Sequence, residues 1–105
     1  MPRGIMFVES RPVSAEREDE YNEWYDGIHL GEVLSLPGFV GARRFKAIDG
    51  DGPYVAVYEV DVDDLSDVMA ALGEAAASGR LQMSDAMQMD PPPTVTVLEL
   101  TTDRS

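Results

Sequence analysis

His29 is the only histidine in the chain, and no other side chain has an ordinary pKa near neutrality. Proton transfer at physiological pH therefore defaults to it. It closes a segment, Tyr21-Asn22-Glu23-Trp24-Tyr25-Asp26-Gly27-Ile28-His29, that also holds the only tryptophan and two of the four tyrosines. An imidazole beside an aromatic stripe suits general acid/base work on an organic molecule: removing a proton next to a carbonyl, or activating a phenol or a water. Asp26 before it and Glu32 after it could each fix its tautomer. The competing reading is a structural histidine that caps a helix.

Tyr25 and Tyr54 join His29 as catalytic candidates, because a phenol can polarise a substrate carbonyl. Tyr21 and Tyr58 are candidates for the binding wall with Trp24, Phe7 and Phe45. Tyr54 and Tyr58 share one face of their strand and meet either the pocket or a subunit interface. Arg43 and Arg44 are adjacent and so point to opposite faces. One is exposed; the other, with Arg44 the candidate, needs a carboxylate from the protein or a ligand. Met83 and Met87, with Met89, either line a lid over an apolar ligand or fill gaps in a loop.

The remaining composition narrows the chemistry. The chain has 105 residues, enough for a single domain spanning 1–105. It has no cysteine, so disulfides, thiolate metal sites and iron–sulfur clusters are out, and a cytoplasmic location is expected. A lone histidine argues against a dedicated transition-metal site. No glycine-rich phosphate loop occurs, so no nucleotide cofactor is expected; haem through His29 alone has no support in the sequence, and no cofactor is expected. A net charge of −12 repels phosphate backbones and excludes nucleic acid as a partner. No apolar run is long enough to span a membrane, and no signal-peptide pattern opens the chain.

These side chains need elements to hold them. Residues 3–10 read as a strand. A helix is expected from about Ala15 to Ile28, with Ser14 as its cap and Tyr21, Trp24, Tyr25 and Ile28 on one face. Gly27 weakens its end, and a short helical piece through Leu30, Val33 and Leu34 stops at Leu36-Pro37-Gly38. Residues 39–47 and Tyr54 to Val60 form a hairpin around Asp49-Gly50-Asp51-Gly52-Pro53. Asp63 or Asp64 caps a second helix carrying Leu65, Val68, Met69 and Leu72, residues 80–93 are irregular, and Thr94 to Thr101 is the last strand. The order βαββαβ predicts a ferredoxin-like α+β fold with a four-stranded antiparallel sheet.

The strands do not alternate apolar with polar residues. Tyr54-Val55-Ala56-Val57-Tyr58 and Ile5-Met6-Phe7-Val8 are apolar at every position. Two helices cover one face only, so the other needs a cover, and a second copy of the sheet is the simplest one. A homodimeric barrel is expected.

The run from Tyr21 to Phe39, with its Trp-Tyr-x-x-x-His and Leu-Pro-Gly-Phe portions, continues into Val40-Gly41-Ala42-Arg43-Arg44-Phe45. It resembles the helix-one segment of the EthD-like branch of the dimeric α+β barrel superfamily. That superfamily includes small polyketide cyclases, cofactor-free monooxygenases, muconolactone isomerase-like enzymes, haem-degrading proteins and members with no assigned activity. The resemblance implies a pocket between helices and sheet in each subunit, with His29 at the position of the branch's histidine. The function expected is a cofactor-independent enzyme of the cyclase, isomerase or lyase type, acting on an apolar molecule that carries a carbonyl or phenol. Two alternatives stand beside it: a non-catalytic hydrophobic-ligand-binding or accessory protein, and a cofactor-free monooxygenase.

Overall fold

The computed structural model describes residues 3–104. β1 (Arg3–Ser10), β2 (Phe39–Phe45), β3 (Tyr54–Asp61) and β4 (Thr94–Glu99) form one sheet in the order β2-β3-β1-β4. All three neighbouring pairs are antiparallel. Each βαβ crossover returns its second strand parallel to its first, and interleaving two such units makes every neighbour antiparallel. This is the ferredoxin-like α+β plan read from the sequence.

The first crossover is a continuous helical rod: a turn of 3-10 helix (Ala15–Arg17), α1 (Glu18–Trp24), a π turn (Tyr25–His29) and α2 (Leu30–Leu34). Ser14 precedes it in extended backbone, but its side chain caps nothing. The helix end expected at about Ile28, where Gly27 weakens it, does not occur. Glycine costs a helix about 1 kcal/mol, less than burying aromatic side chains returns, and Tyr21, Trp24 and Tyr25 are all buried. The chain widens there instead. A wider turn advances less per residue, which swings Ile28 away from the stripe and leaves His29 on the Tyr25 side of the rod. His29 therefore lies under Tyr25 on the buried stripe, and Ile28, expected on that stripe, is turned to the surface.

The rod ends where the sequence places its stop. Gly38 has a φ of +88°, and a Cβ there would sit 2.2 Å from Val62 Cγ1, so only glycine fits. The second crossover holds a 3-10 turn (Leu65–Asp67) and α3 (Val68–Ala77). Asp64 caps it, its carboxylate accepting the Ser66 N–H at 3.0 Å.

Register decides what each face carries. Met6 and Val8 of β1 and Ala56, Tyr58 and Val60 of β3 point to the helices and are buried. An irregularity between Phe39 and Gly41 resets β2, pairing Ala42 with Tyr58 and Arg44 with Ala56 on that same face. The opposite face presents Ile5, Phe7, Phe45, Val55, Val57 and Leu98, together with Glu9, Arg43, Glu59, Thr94 and Thr96. Phe45 and Leu98 are about half exposed. No helix among the described residues is long and apolar enough to cross a membrane.

Candidate functional site

A cavity of about 350 Å³ lies between the helices and the sheet. The sheet supplies Met6, Val8, Tyr58 and Val95, and the helical rod supplies Tyr25, His29 and Val33. α3 contributes Met69 and Leu72, and the irregular segment 80–93 closes the remaining side with Leu81, Met83, Met87 and Met89. That segment has no regular structure, yet it is pinned. The indole Nε1 of Trp24 donates to the Gln82 carbonyl at 2.7 Å, and Glu32 accepts the Gln82 N–H at 2.7 Å. Val13 N–H donates to the Ala86 carbonyl at 2.6 Å, and Arg17 holds Asp85 at 2.5 Å.

Among the described residues, Tyr25, His29 and Tyr58 carry the only side-chain oxygen or nitrogen atoms of the cavity wall. The three converge. The His29 ring stacks on Trp24 at 4.6 Å between centroids and meets Tyr25 edge-on at 5.0 Å. His29 Nδ1 and the Tyr58 hydroxyl are both buried without a hydrogen-bond partner among the described residues. Buried polar atoms usually find partners; Arg44 Nε and Asp61 Oδ1, outside the cavity wall, lack them in the same way, while at the cavity two such atoms fall together. With Nδ1 sealed, Nε2 is the ring nitrogen left to meet a ligand.

Electrostatics set the resting state. Burial lowers the His29 pKa to about 4, against a weaker upward pull from Glu32, so the imidazole is neutral at physiological pH. Burial, and after it the neighbouring Tyr25, push the Tyr58 phenol up. Burial likewise raises Tyr25. Both phenols stay protonated and can donate. No charged side chain lines the cavity, which therefore suits a neutral, mostly apolar molecule.

Behind Tyr25, away from the cavity, sits a second cluster. The Arg44 guanidinium carbon lies 4.3 Å from the Tyr25 ring centre, 5.0 Å from Tyr54 and 5.3 Å from Tyr21. Its Nη1 donates to Asp26 at 2.8 Å and its Nη2 to Asn22 at 2.9 Å. Tyr54 donates to Glu18 and receives the Asn22 amide at 3.3 Å. Tyr21 shares a 2.6 Å hydrogen bond with Ser10.

Of the residues singled out in the sequence, Tyr25, His29, Tyr58, Met83, Met87 and Met89 line the cavity. Trp24 supports it from behind His29. Tyr21, Tyr54 and Arg44 belong to the cation box and do not line it. Phe7 and Phe45, expected as cavity walls, must be corrected: they lie on the far face of the sheet, paired with Val57 and Val55. Arg43 goes with them and pairs with Glu59 at 3.0 Å. Met6 and Met69 were missed as wall residues. The apolar stripe of α3 pointed to Met69, and strand alternation through Val8 pointed to Met6. Among the described residues no group of three His, Cys, Asp or Glu side chains could hold a metal ion.

No protein-family model matches the chain, and no curated protein matches it. Two solved structures are similar across its whole length. One is a candidate monooxygenase from Shewanella loihica PV-4, 12% identical, with 99% of that chain covered and a TM-score of 0.59. The other is Rv0793 from Mycobacterium tuberculosis, 16% identical, with 100% of that chain covered and a TM-score of 0.58. At these identities the likeness establishes the small α+β fold.

Proposed function

We propose that the chain is a cytoplasmic, homodimeric enzyme that moves protons on a neutral, apolar molecule bearing a carbonyl or phenol. The observation that carries this reading is the polar corner of the cavity: one neutral imidazole and two protonated phenols in an otherwise apolar wall. His29 Nε2 takes a proton from the carbon next to a bound carbonyl. The electron pair moves onto the carbonyl oxygen, which accepts hydrogen bonds from Tyr58 and Tyr25. The negative charge of that enolate raises the affinity of His29 for the proton it has just received. Returning the proton to a different carbon completes an isomerisation. Attack of the enolate carbon on a second carbonyl, with the proton delivered to the new alkoxide, completes a cyclisation.

The motif likeness to the EthD-like branch supports this reading. The uncovered apolar face of the sheet supports a dimer formed through it. Phe45→Glu would then yield a monomer in sedimentation experiments, whereas an unchanged sedimentation coefficient would rule that face out.

The test of the chemistry uses 2-tetralone, a bicyclic ketone small enough for the cavity, in deuterated water. The protein should accelerate deuterium exchange at the carbons next to the carbonyl, and His29→Gln should abolish the acceleration while the ketone still binds. Binding without any acceleration would make the chain a ligand-binding protein instead.

A second reading draws on the name of the Shewanella structure. The same deprotonation of a phenol-type substrate would leave an anion that reacts with dioxygen, one oxygen atom going to a ring methylene to form a carbonyl and the other leaving as water. Oxygen consumption separates the two.

A further inference from the structure

All five methionines among the described residues, Met6, Met69, Met83, Met87 and Met89, line the one cavity. They divide sharply by exposure. Met6 and Met87 are 1% and 6% exposed and form the inner wall. Met69, Met83 and Met89 are 45%, 53% and 57% exposed, which puts them at the rim. They reach it from two directions, Met69 on α3 and the other two on the pinned segment 80–93. With no cysteine in the chain, thioethers are the only sulfur it can offer an oxidant.

We propose that Met69, Met83 and Met89 form a sulfoxidation site that closes the cavity to apolar ligands. The proposal rests on the cavity being a ligand site, not on the acid/base step. A peroxide transfers one oxygen to the thioether sulfur: the S–O bond forms, the O–O bond breaks, the sulfur is oxidised by two electrons and water leaves. A flexible apolar side chain becomes a polar, chiral one. Around a mouth that otherwise offers only apolar surface, each sulfoxide either draws water into the entrance or turns outward and removes part of the wall. The polar corner at His29 and Tyr58 lies deeper and keeps its groups. Reduction of the sulfoxides by methionine sulfoxide reductases restores the thioethers, so the change is reversible.

Thioether exposure sets the order of reaction. The rim sulfurs react first, and Met6 and Met87 are shielded as long as the fold holds.

The experiment treats the protein with hydrogen peroxide, locates each added oxygen by peptide mass spectrometry, and measures binding of the neutral fluorescent probe N-phenyl-1-naphthylamine. Oxygen should appear on Met69, Met83 and Met89 before Met6 and Met87, with at least tenfold weaker probe binding and an unchanged circular dichroism spectrum. Reductase treatment should recover the affinity. The triple variant Met69→Leu, Met83→Leu, Met89→Leu removes the rim sulfurs, so whatever its own starting affinity for the probe, peroxide should leave that affinity unchanged. Unchanged binding by the rim-oxidised protein overturns the proposal, as does equal peroxide sensitivity in the triple variant. Failure of the untreated protein to bind the probe removes the cavity reading and this inference together. Normal binding with no turnover of any ketone leaves the inference standing and removes the acid/base step alone.

Discussion

Two clusters share the ring of Tyr25 and do opposite things with polarity. On one side is the cavity, where His29 Nδ1 and the Tyr58 hydroxyl are buried and unpaired and no charge is present. On the other is the Arg44 box, where an arginine side chain only 11% exposed has its guanidinium ringed by three tyrosines and held by Asp26 and Asn22. The box pairs most of its polar groups with each other, Arg44 Nε being the one left buried without a partner among the described residues, and so acts as structure. The cavity leaves His29 Nδ1 and the Tyr58 hydroxyl unpaired side by side, which costs stability. A chain this small has little stability to give away, so an unpaired imidazole and phenol in the same place favour a site over a core.

The largest effect expected comes from acid. The folded pKa of His29 is about 4, against 6.5 when unfolded. A depressed value means the unfolded chain takes up the proton first. The stability linked to His29 is therefore complete above pH 6.5 and is lost as pH falls toward 4. At about 1.4 kcal/mol per unit, the loss approaches about 3 kcal/mol. His29→Phe should lack this component, and urea unfolding of both proteins from pH 7 to pH 4.5 reads the difference. Parallel pH profiles would mean that the ring is hydrated and that the contrast between the clusters is false. Proton abstraction should follow the same group, staying flat at neutral pH and failing only as pH approaches 4.

Arg44→Met comes next. It removes the cation from the three rings and breaks two charge-assisted bonds, while the Asp26 left behind is 64% exposed and strands no buried charge. A loss of about 2 kcal/mol is expected in denaturant unfolding. Affinity for 2-tetralone, measured where the variant is folded, should be unchanged. A large fall in affinity at full stability would move Arg44 from the structure into the site.

The smallest effect separates the clusters most cleanly. Tyr58→Phe deletes a buried hydroxyl whose polar neighbour is the Tyr25 phenol, so it should change stability by no more than about 1 kcal/mol. The same change should slow deuterium exchange on the ketone. Tyr54→Phe, which breaks bonds to Glu18 and Asn22, should instead lower stability and leave exchange alone.

Much of this was legible in the residues, and what was not has physical causes. β1 lies at the bounds its residues suggested, and the element order gave the sheet. The turn at Gly38 was readable because only glycine tolerates it. The π turn was not: a period of 3.6 residues placed Ile28 on the buried stripe, and only packing of the aromatic side chains reveals that His29 takes its place. Phe7 and Phe45 were misplaced because composition shows that a strand is apolar on both faces without telling which face meets the helices. That needs the register with β3 and the irregularity at Gly41. The His29 and methionine candidates stood out by type alone. Their meeting in one cavity depends on how segment 80–93 is tied to Trp24 and Glu32, a matter of long-range hydrogen bonds that no local pattern announces.

The central claim is that the methionine-walled space beside His29 receives a neutral, mostly apolar molecule. Protein labelled with carbon-13 at the methionine methyl groups, titrated with 2-tetralone and followed by NMR, tests it directly. The account predicts that the methyl signals of Met6, Met69, Met83, Met87 and Met89 shift together along one saturating curve, and that His29→Gln leaves those shifts in place. Methyl signals that stay still while the ketone perturbs Ile5, Phe7 and Val57 on the far face of the sheet would contradict it.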